Sequence, residues 1–137
     1  MIVDASAMLA ILLNEADART FANAIAAADS PRMPAPNWLE VVMKLEGMSA
    51  GDDAGYAAAN RTLLEYTDNG ILTIVPFTAE HTFHARQAFR QYGKGRHRAG
   101  LNFGDCIAYA VARLDDAALL FKGDDFIHTD IRSALKD

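Results

Sequence analysis

The sequence is poor in cysteine, in long apolar runs and in basic residues, and each shortage excludes or disfavours a class of protein. One cysteine, Cys106, is present among 137 residues, so an internal disulfide is excluded and a reducing cytoplasm is the expected location. No apolar run reaches the ~20 residues that cross a bilayer, and no basic segment precedes the first apolar run, so neither a membrane span nor a signal peptide is expected. Basic residues are a minority, 13 against 18 acidic ones, and the net charge of −5 does not favour nucleic acid as a partner at long range.

The chain does have the composition of a folded domain. Apolar residues make up 51% and charged residues 23% of the sequence, which predicts a single domain over 1–137. Strand-like and helical segments alternate, which predicts an α/β fold with a small parallel β-sheet sandwiched between helices. The predicted elements are a strand at 1–4, helices at 5–13 and 16–28, an extended segment at 30–36, a helix from Pro36, a helix ending at Asn69–Gly70, a buried strand at 71–77, a helix opening in an imperfect capping box at Thr78–His81, a basic loop at 93–102, the helix of Asp105 and a strand at 117–121.

Acidic residues fall where the predicted strands end or where helices begin beside them. Asp4 ends the first strand, and Asp124 and Asp125 follow the last one. Asp105 opens a helix that is apolar all round, which is typical of a buried helix. Each of these residues alone could cap a helix or close a turn.

Glu40 is a further acid, alone on the apolar start of the helix that follows Pro36. By itself it could be a residue that faces solvent. Together with the acids at the strand ends it predicts a crevice of carboxylates, because ligands of open α/β folds bind outside the carboxyl ends of the strands. Carboxylates that share a crevice repel one another, and a hard cation such as Mg²⁺ or Mn²⁺ relieves the repulsion.

Four segments carry a family resemblance: "MIVDASAMLAILLNE", "NWLEVVMKLE", "NFGDCIAYAVAR" and "LLFKGDDFIHTDI". In this order and spacing they resemble a PIN-domain ribonuclease of the VapC toxin type, over the full chain. The resemblance implies a Mg²⁺-dependent endoribonuclease, with Mn²⁺ as a possible substitute, that is the toxin of a type II toxin–antitoxin pair. It also implies an RNA substrate, a homodimer and a cognate antitoxin protein as partner.

The resemblance also assigns the site residues. It places Asp4, Glu40 and Asp105 in the acidic pocket and implicates Asp4 and Asp105 most directly in metal binding. For the fourth acid the sequence offers Asp124 and Asp125, of which Asp124 is preferred.

Two side chains are implied to form hydrogen bonds within the site, Ser6 and Thr129. Ser6 also argues against a phosphatase with an aspartyl nucleophile, since such enzymes need a second Asp two residues after the first. The alternative that stays open is a catalytically silent PIN-like module that binds RNA or protein, although retention of the acidic positions speaks against it.

A basic cluster just before the Asp105 helix offsets the acidic net charge locally. No acid lies between 86 and 98, and the cluster consists of Arg86, Arg90, Lys94, Arg96 and Arg98. It could be a solvated face; the sharper hypothesis is a clamp on RNA phosphates, with Lys94, Arg96 and Arg98 as the RNA-binding residues. Glycines at 93, 95 and 100 are expected to let the loop adapt to a strand.

Overall fold

A computed structural model describes residues 1–135 and contains a four-stranded parallel sheet. The strands are β1 (Ile2–Val3), β2 (Arg32–Pro34), β3 (Thr73–Val75) and β4 (Leu119–Leu120), in the spatial order β3-β2-β1-β4. Since every strand connection contains at least one helix, the strands run parallel, as the alternation of segments predicts. The predicted α/β class is therefore confirmed.

Helices cover both faces of this sheet. They are α1 (Ala5–Leu12), α2 (Ala18–Ala27), α3 (Ala35–Ser49), α4 (Asp53–Asp68), α5 (Ala79–Tyr92) and α6 (Phe103–Leu114), followed by a short 3-10 turn at Phe126–His128. The core is accordingly in two halves. Val3 and Leu120 pack into the half formed with α1 to α4, whereas their neighbours Ile2 and Leu119 pack into the half formed with α5 and α6. This division follows from the alternation of side chains along a strand.

The α6 helix confirms the inference that a helix apolar all round is buried. Every residue from Cys106 to Ala112 is buried, because the helix lies between α5 and the sheet. The one polar tip in this stretch, the Tyr109 hydroxyl, donates a hydrogen bond to Asp130 over 2.6 Å. Burial raises the pKa of the Cys106 thiol to about 11, which fits a structural rather than a reactive cysteine.

Two strand predictions differ from the structure. The segment at 30–36 was expected only to be extended, yet Arg32–Pro34 pairs with both β1 and β3. The strand at 71–77 was predicted to be buried, but Thr73 and Ile74 of β3 are exposed. The reason is that β3 lies at the edge of the sheet and pairs with one strand only.

Parallel strands bring their carboxyl ends to one edge, and that edge positions the candidate site. β1 is followed by Asp4, β2 leads into α3, and β4 leads into the turn at 122–125. Within residues 1–135 no helix is both long and apolar enough to cross a membrane.

Candidate active site

Asp4 lies at the junction of β1 and α1, almost out of reach of solvent, with 4% of its surface exposed. It is the N-cap of α1, and its Oδ2 accepts hydrogen bonds from the Ser6 amide over 3.0 Å and from the Ser6 hydroxyl over 2.5 Å. Ser6 therefore forms the hydrogen bond expected of it. Both Ser6 donors occupy the same oxygen, which leaves Oδ1 of Asp4 for another partner.

Asp105 lies in the first turn of α6 and takes part in its N-terminal cap. The N-cap itself is Asn102, whose Oδ1 accepts from the Asp105 amide over 2.9 Å, while Oδ2 of Asp105 accepts from the Asn102 amide over 3.0 Å. Such a reciprocal capping box fixes the carboxylate against the end of the helix. Capping uses one oxygen of Asp105, so it is compatible with a second role for the side chain.

Glu40 reaches the same place from α3, because α3 and α6 approach each other closely. The buried Asn37, one turn before Glu40, donates from Nδ2 to the Gly104 carbonyl over 3.0 Å. A Cβ atom on Gly104 would lie 2.7 Å from Oε1 of Glu40, so the glycine leaves room for the carboxylate to rest against α6. Sequence reasoning missed Asn37, although its i−3 spacing from Glu40 on one helix face was a signal.

The three acids act on one another electrostatically. Burial raises the pKa of Asp4 to about 6, and the charge of Glu40 adds to the effect. Burial also raises the pKa of Asp105 to about 6, helped by the charges of Asp4 and Asp125. The pKa of Glu40 is raised by partial burial of its carboxylate and by the charge of Asp105, against a lowering by a hydrogen bond from Asn37. Carboxylates with raised pKa values in one crevice are typical of a functional site.

The turn at 122–125 is tied to this cluster through its backbone. The Lys122 amide donates to the Ser6 hydroxyl over 3.0 Å, and the Lys122 ammonium bonds to Glu15 and, over 3.0 Å, to Asp17. Asp124 and Asp125 are both exposed. Of the two, only Asp125 is among the charges that raise the pKa of Asp105, which connects Asp125 electrostatically to the cluster. The preference for Asp124 stays a prediction from sequence.

Thr129 does not form the expected hydrogen bond to the acids among the described residues. Its hydroxyl donates to the Phe126 carbonyl over 2.7 Å and accepts from the Ile131 amide over 3.3 Å. These bonds close the 3-10 turn, since a threonine at the end of such a turn finds a backbone partner nearby. Thr129 therefore supports the segment behind the acidic turn.

The donor chemistry of the cluster fits a hard divalent cation. In residues 1–135 no three His, Cys, Asp or Glu side chains already stand close enough to enclose an ion. The ion pairs within the same residues involve other acids, so Asp4, Glu40 and Asp105 have no Lys or Arg partner there. A buried carboxylate without a cationic partner is costly, and oxygen ligands of this kind suit Mg²⁺ or Mn²⁺.

Backbone hydrogen bonds close the basic loop on itself, and its adaptation to an RNA strand stays a prediction from sequence. The Lys94 amide donates to the Leu101 carbonyl and the Leu101 amide to the Tyr92 carbonyl, both over 3.0 Å. Gly95 and Gly100 have φ angles of +83° and +62°, which a residue without a Cβ adopts at no steric cost. Gly95 and Gly100 thus shape this turn.

The predicted RNA-binding side chains of this loop are all at the surface. Lys94, Arg96 and Arg98 are exposed, and none pairs with an acid within residues 1–135. Cations with no acidic partner are available to an anionic ligand.

Comparison with known proteins agrees with this fold. The family model described as "PIN domain" matches residues 1–132. The chain is 40% identical over 131 residues to Ribonuclease VapC30 of Mycobacterium tuberculosis, covering 96% of this chain and 95% of the relative. It is 44% identical over 133 residues to Ribonuclease VapC36 of the same organism, covering 96% and 91%.

Solved structures share the fold at low sequence identity. The crystal structure of Mycobacterium tuberculosis VapC20, titled a Sarcin-Ricin loop cleaving toxin, superimposes with a TM-score of 0.70 at 15% identity and covers 95% of each chain. A toxin–antitoxin complex from Klebsiella pneumoniae gives 0.67 at 16% identity and covers 94% of this chain and 92% of that one. The family match over nearly the whole length decides the assignment: the chain belongs to the PIN-domain family.

Proposed function

We propose that this protein is a Mg²⁺-dependent endoribonuclease and the toxin of a type II toxin–antitoxin pair, hydrolysing RNA phosphodiester bonds with an activated water. The observation that carries the proposal is the convergence of Asp4, Glu40 and Asp105 from three different elements. Their raised pKa values and their lack of a basic partner within residues 1–135 support a cation as the missing component. The VapC relatives, which are named ribonucleases, support RNA as the substrate.

The residues have distinct roles in this proposal. Asp4 and Asp105 would hold the ion, which lowers the pKa of a water and neutralises charge on the phosphate when bound. Glu40 is exposed next to them, and its raised pKa suits a group that accepts the proton of the attacking water. Ser6 fixes the orientation of Asp4, and Asn102 that of Asp105. An acid of the turn at 122–125, Asp124 or Asp125, completes the pocket.

The test is cleavage of single-stranded RNA by the purified chain. We expect cleavage with Mg²⁺ or Mn²⁺, loss of cleavage with EDTA and recovery when Mg²⁺ is added in excess. A matched DNA strand serves as the control for substrate class. A chain that binds RNA in Mg²⁺ but leaves it intact under all these conditions would instead be the silent binding module.

The partners in this proposal are an antitoxin and a second copy of the chain. The toxin–antitoxin complex from Klebsiella pneumoniae supports an antitoxin partner. An Arg or Lys of that partner could enter the crevice, pair with the acids and displace the cation. The free, buried Cys106 agrees with a cytoplasmic location for the complex.

The homodimer is expected to use the exposed side of α3. Among the apolar residues of α1 and α3, Met8, Leu12 and Leu45 are core residues and so are unavailable, while Leu9, Trp38 and Val42 are half-buried. Leu39 and Met43 are 52% and 64% exposed, and exposed apolar residues on one helix face favour a protein contact.

Sedimentation at micromolar concentration should give a dimer, and Met43→Glu should shift the equilibrium towards monomer, because it places a charge in the apolar contact. A wild-type chain that is only monomeric contradicts the proposal.

A further inference from the structure

One face of α5 forms a groove with the basic loop. Arg86, Phe89 and Arg90 follow one another at helical spacing, and with Arg96 they line a groove of about 420 Å³. All four residues are exposed, and the guanidinium carbon of Arg96 lies 5.7 Å from the centre of the Phe89 ring. Within residues 1–135 none of the three arginines pairs with an acid. The groove is therefore a cationic surface that contains one aromatic ring, that of Phe89.

The backbone fixes this arrangement. A Cβ atom on Gly93 would lie 2.4 Å from the Phe89 carbonyl oxygen and 2.6 Å from Cδ2 of its ring, so the ring rests directly on the glycine. The Arg96 amide donates to the Gly93 carbonyl over 2.9 Å, which sets Arg96 on the same turn. Phe89 is thus held in place before a ligand arrives, which lowers the entropy lost on binding.

The groove is continuous with the acidic cluster. A neighbouring groove of about 340 Å³ shares Arg86 and Phe89 with it and is also lined by Phe103 and Ile107. Phe103 and Ile107 in turn line a groove of about 450 Å³ that reaches Glu40 and that borders the expected dimer face at Leu39 and Met43. A single strip of surface therefore runs from Glu40, past the 83% exposed Phe103, to Arg96.

We propose that this strip binds single-stranded RNA beside the cleaved bond, with an unpaired base stacked on Phe89 and backbone phosphates on Arg86, Arg90 and Arg96. The inference rests on the proposed ribonuclease function. Flat bases stack on exposed aromatic rings, and arginines neutralise the phosphates between them. A second copy of the chain is disfavoured at the arginine groove, because it would bring an identical cationic groove against this one. The incoming base takes the place of the Arg96 guanidinium over the ring, and Arg96 then turns to a phosphate.

The experiment measures stacking directly, using a single-stranded oligoribonucleotide of mixed sequence that carries 2-aminopurine. The full-length Asp105→Asn chain serves as a background in which the RNA should stay intact. In that background Phe89 is expected to quench 2-aminopurine fluorescence, and Phe89→Leu should abolish the quench and weaken binding about tenfold. Arg86→Gln should lower the slope of log affinity against log salt by about 0.7.

Two further variants keep the outcome interpretable. Phe83→Leu removes another exposed ring of α5, 71% exposed and outside the groove, and should change neither readout. Phe89→Tyr retains a stacking face and should behave like the parent, even if Phe89→Leu fails to fold. Equal binding and quenching by Phe83→Leu and Phe89→Leu would overturn the groove proposal, as would loss of quenching in Phe89→Tyr together with a normal fold. Failure of the wild-type chain to cleave RNA, with quenching intact, would refute the ribonuclease proposal alone.

Discussion

Asp4→Asn and Asp105→Asn are each expected to give a folded chain in which Mg²⁺-dependent RNA cleavage falls by about 100-fold or more, equivalent to about 2.7 kcal/mol of lost transition-state stabilisation. The amide keeps the size of the carboxylate and an oxygen that can accept the capping hydrogen bonds from Ser6 or Asn102. It loses the negative charge on which the cation depends. Single-turnover cleavage at saturating RNA and matched Mg²⁺ is the measurement.

The stability of these variants separates a metal role from a structural one. Asparagine removes a charge that burial disfavours, so the metal-free variants should melt no lower than the wild type above pH 6. Asp68→Asn, at the exposed end of α4, is the matched control and should cleave like the wild type. Near-normal cleavage by either site variant would show that the pocket has been assigned to the wrong residues.

Local sequence patterns were sufficient for much of the fold. The apolar run from Cys106 to Ala112 specifies a buried helix, since no face of it is polar. The short strand before Asp4 is central because both of its residues are apolar and fully buried. The exposure of β3 could not be predicted in this way, because β-branched apolar residues suit a central strand and an edge strand alike.

Part of the site depends on contacts between distant segments, and these leave no local pattern. The bond from Asn37 to the Gly104 carbonyl joins residues 67 positions apart, and the bond from the Lys122 amide to Ser6 joins residues 116 apart. No local pattern predicts that the Lys122 ammonium pairs with Glu15 and Asp17 either. His81 illustrates a local exception, since its ring fills the position of a capping box where Glu or Gln is usual.

The second large effect expected is on stability, and its sign follows from the same carboxylates. Asp4 and Asp105 have pKa values of about 6 in the native state against an ordinary value of 3.8. Between these two pH values the native chain holds protons that the unfolded chain has released. The free energy of unfolding of the metal-free protein should therefore fall as pH rises from about 4 to about 6, as far as these groups determine it.

Mg²⁺ should reverse this loss above pH 6, because it neutralises the carboxylates in the native state and finds no such site in the unfolded one. At about 100 times its dissociation constant, the ion should add about 2.7 kcal/mol to the free energy of unfolding. For a domain of this size that corresponds to a rise in Tm of about 10 °C. At pH 5 the rise should be smaller, because protons compete with the ion for Asp4 and Asp105.

Thermal unfolding of the metal-free chain at pH 5 and pH 7.5, each with and without Mg²⁺, measures both effects at once. The double variant Asp4→Asn, Asp105→Asn supplies the control, since it retains neither the two raised pKa values nor the charges that attract the ion. Its Tm should be indifferent to Mg²⁺ at both pH values. Mn²⁺ should act like Mg²⁺ on the wild type, because the oxygen ligands suit both ions. A Mg²⁺-induced rise in Tm at pH 7.5 that is as large in the double variant as in the wild type would place the ion away from these carboxylates and contradict the assignment of Asp4 and Asp105 as its ligands.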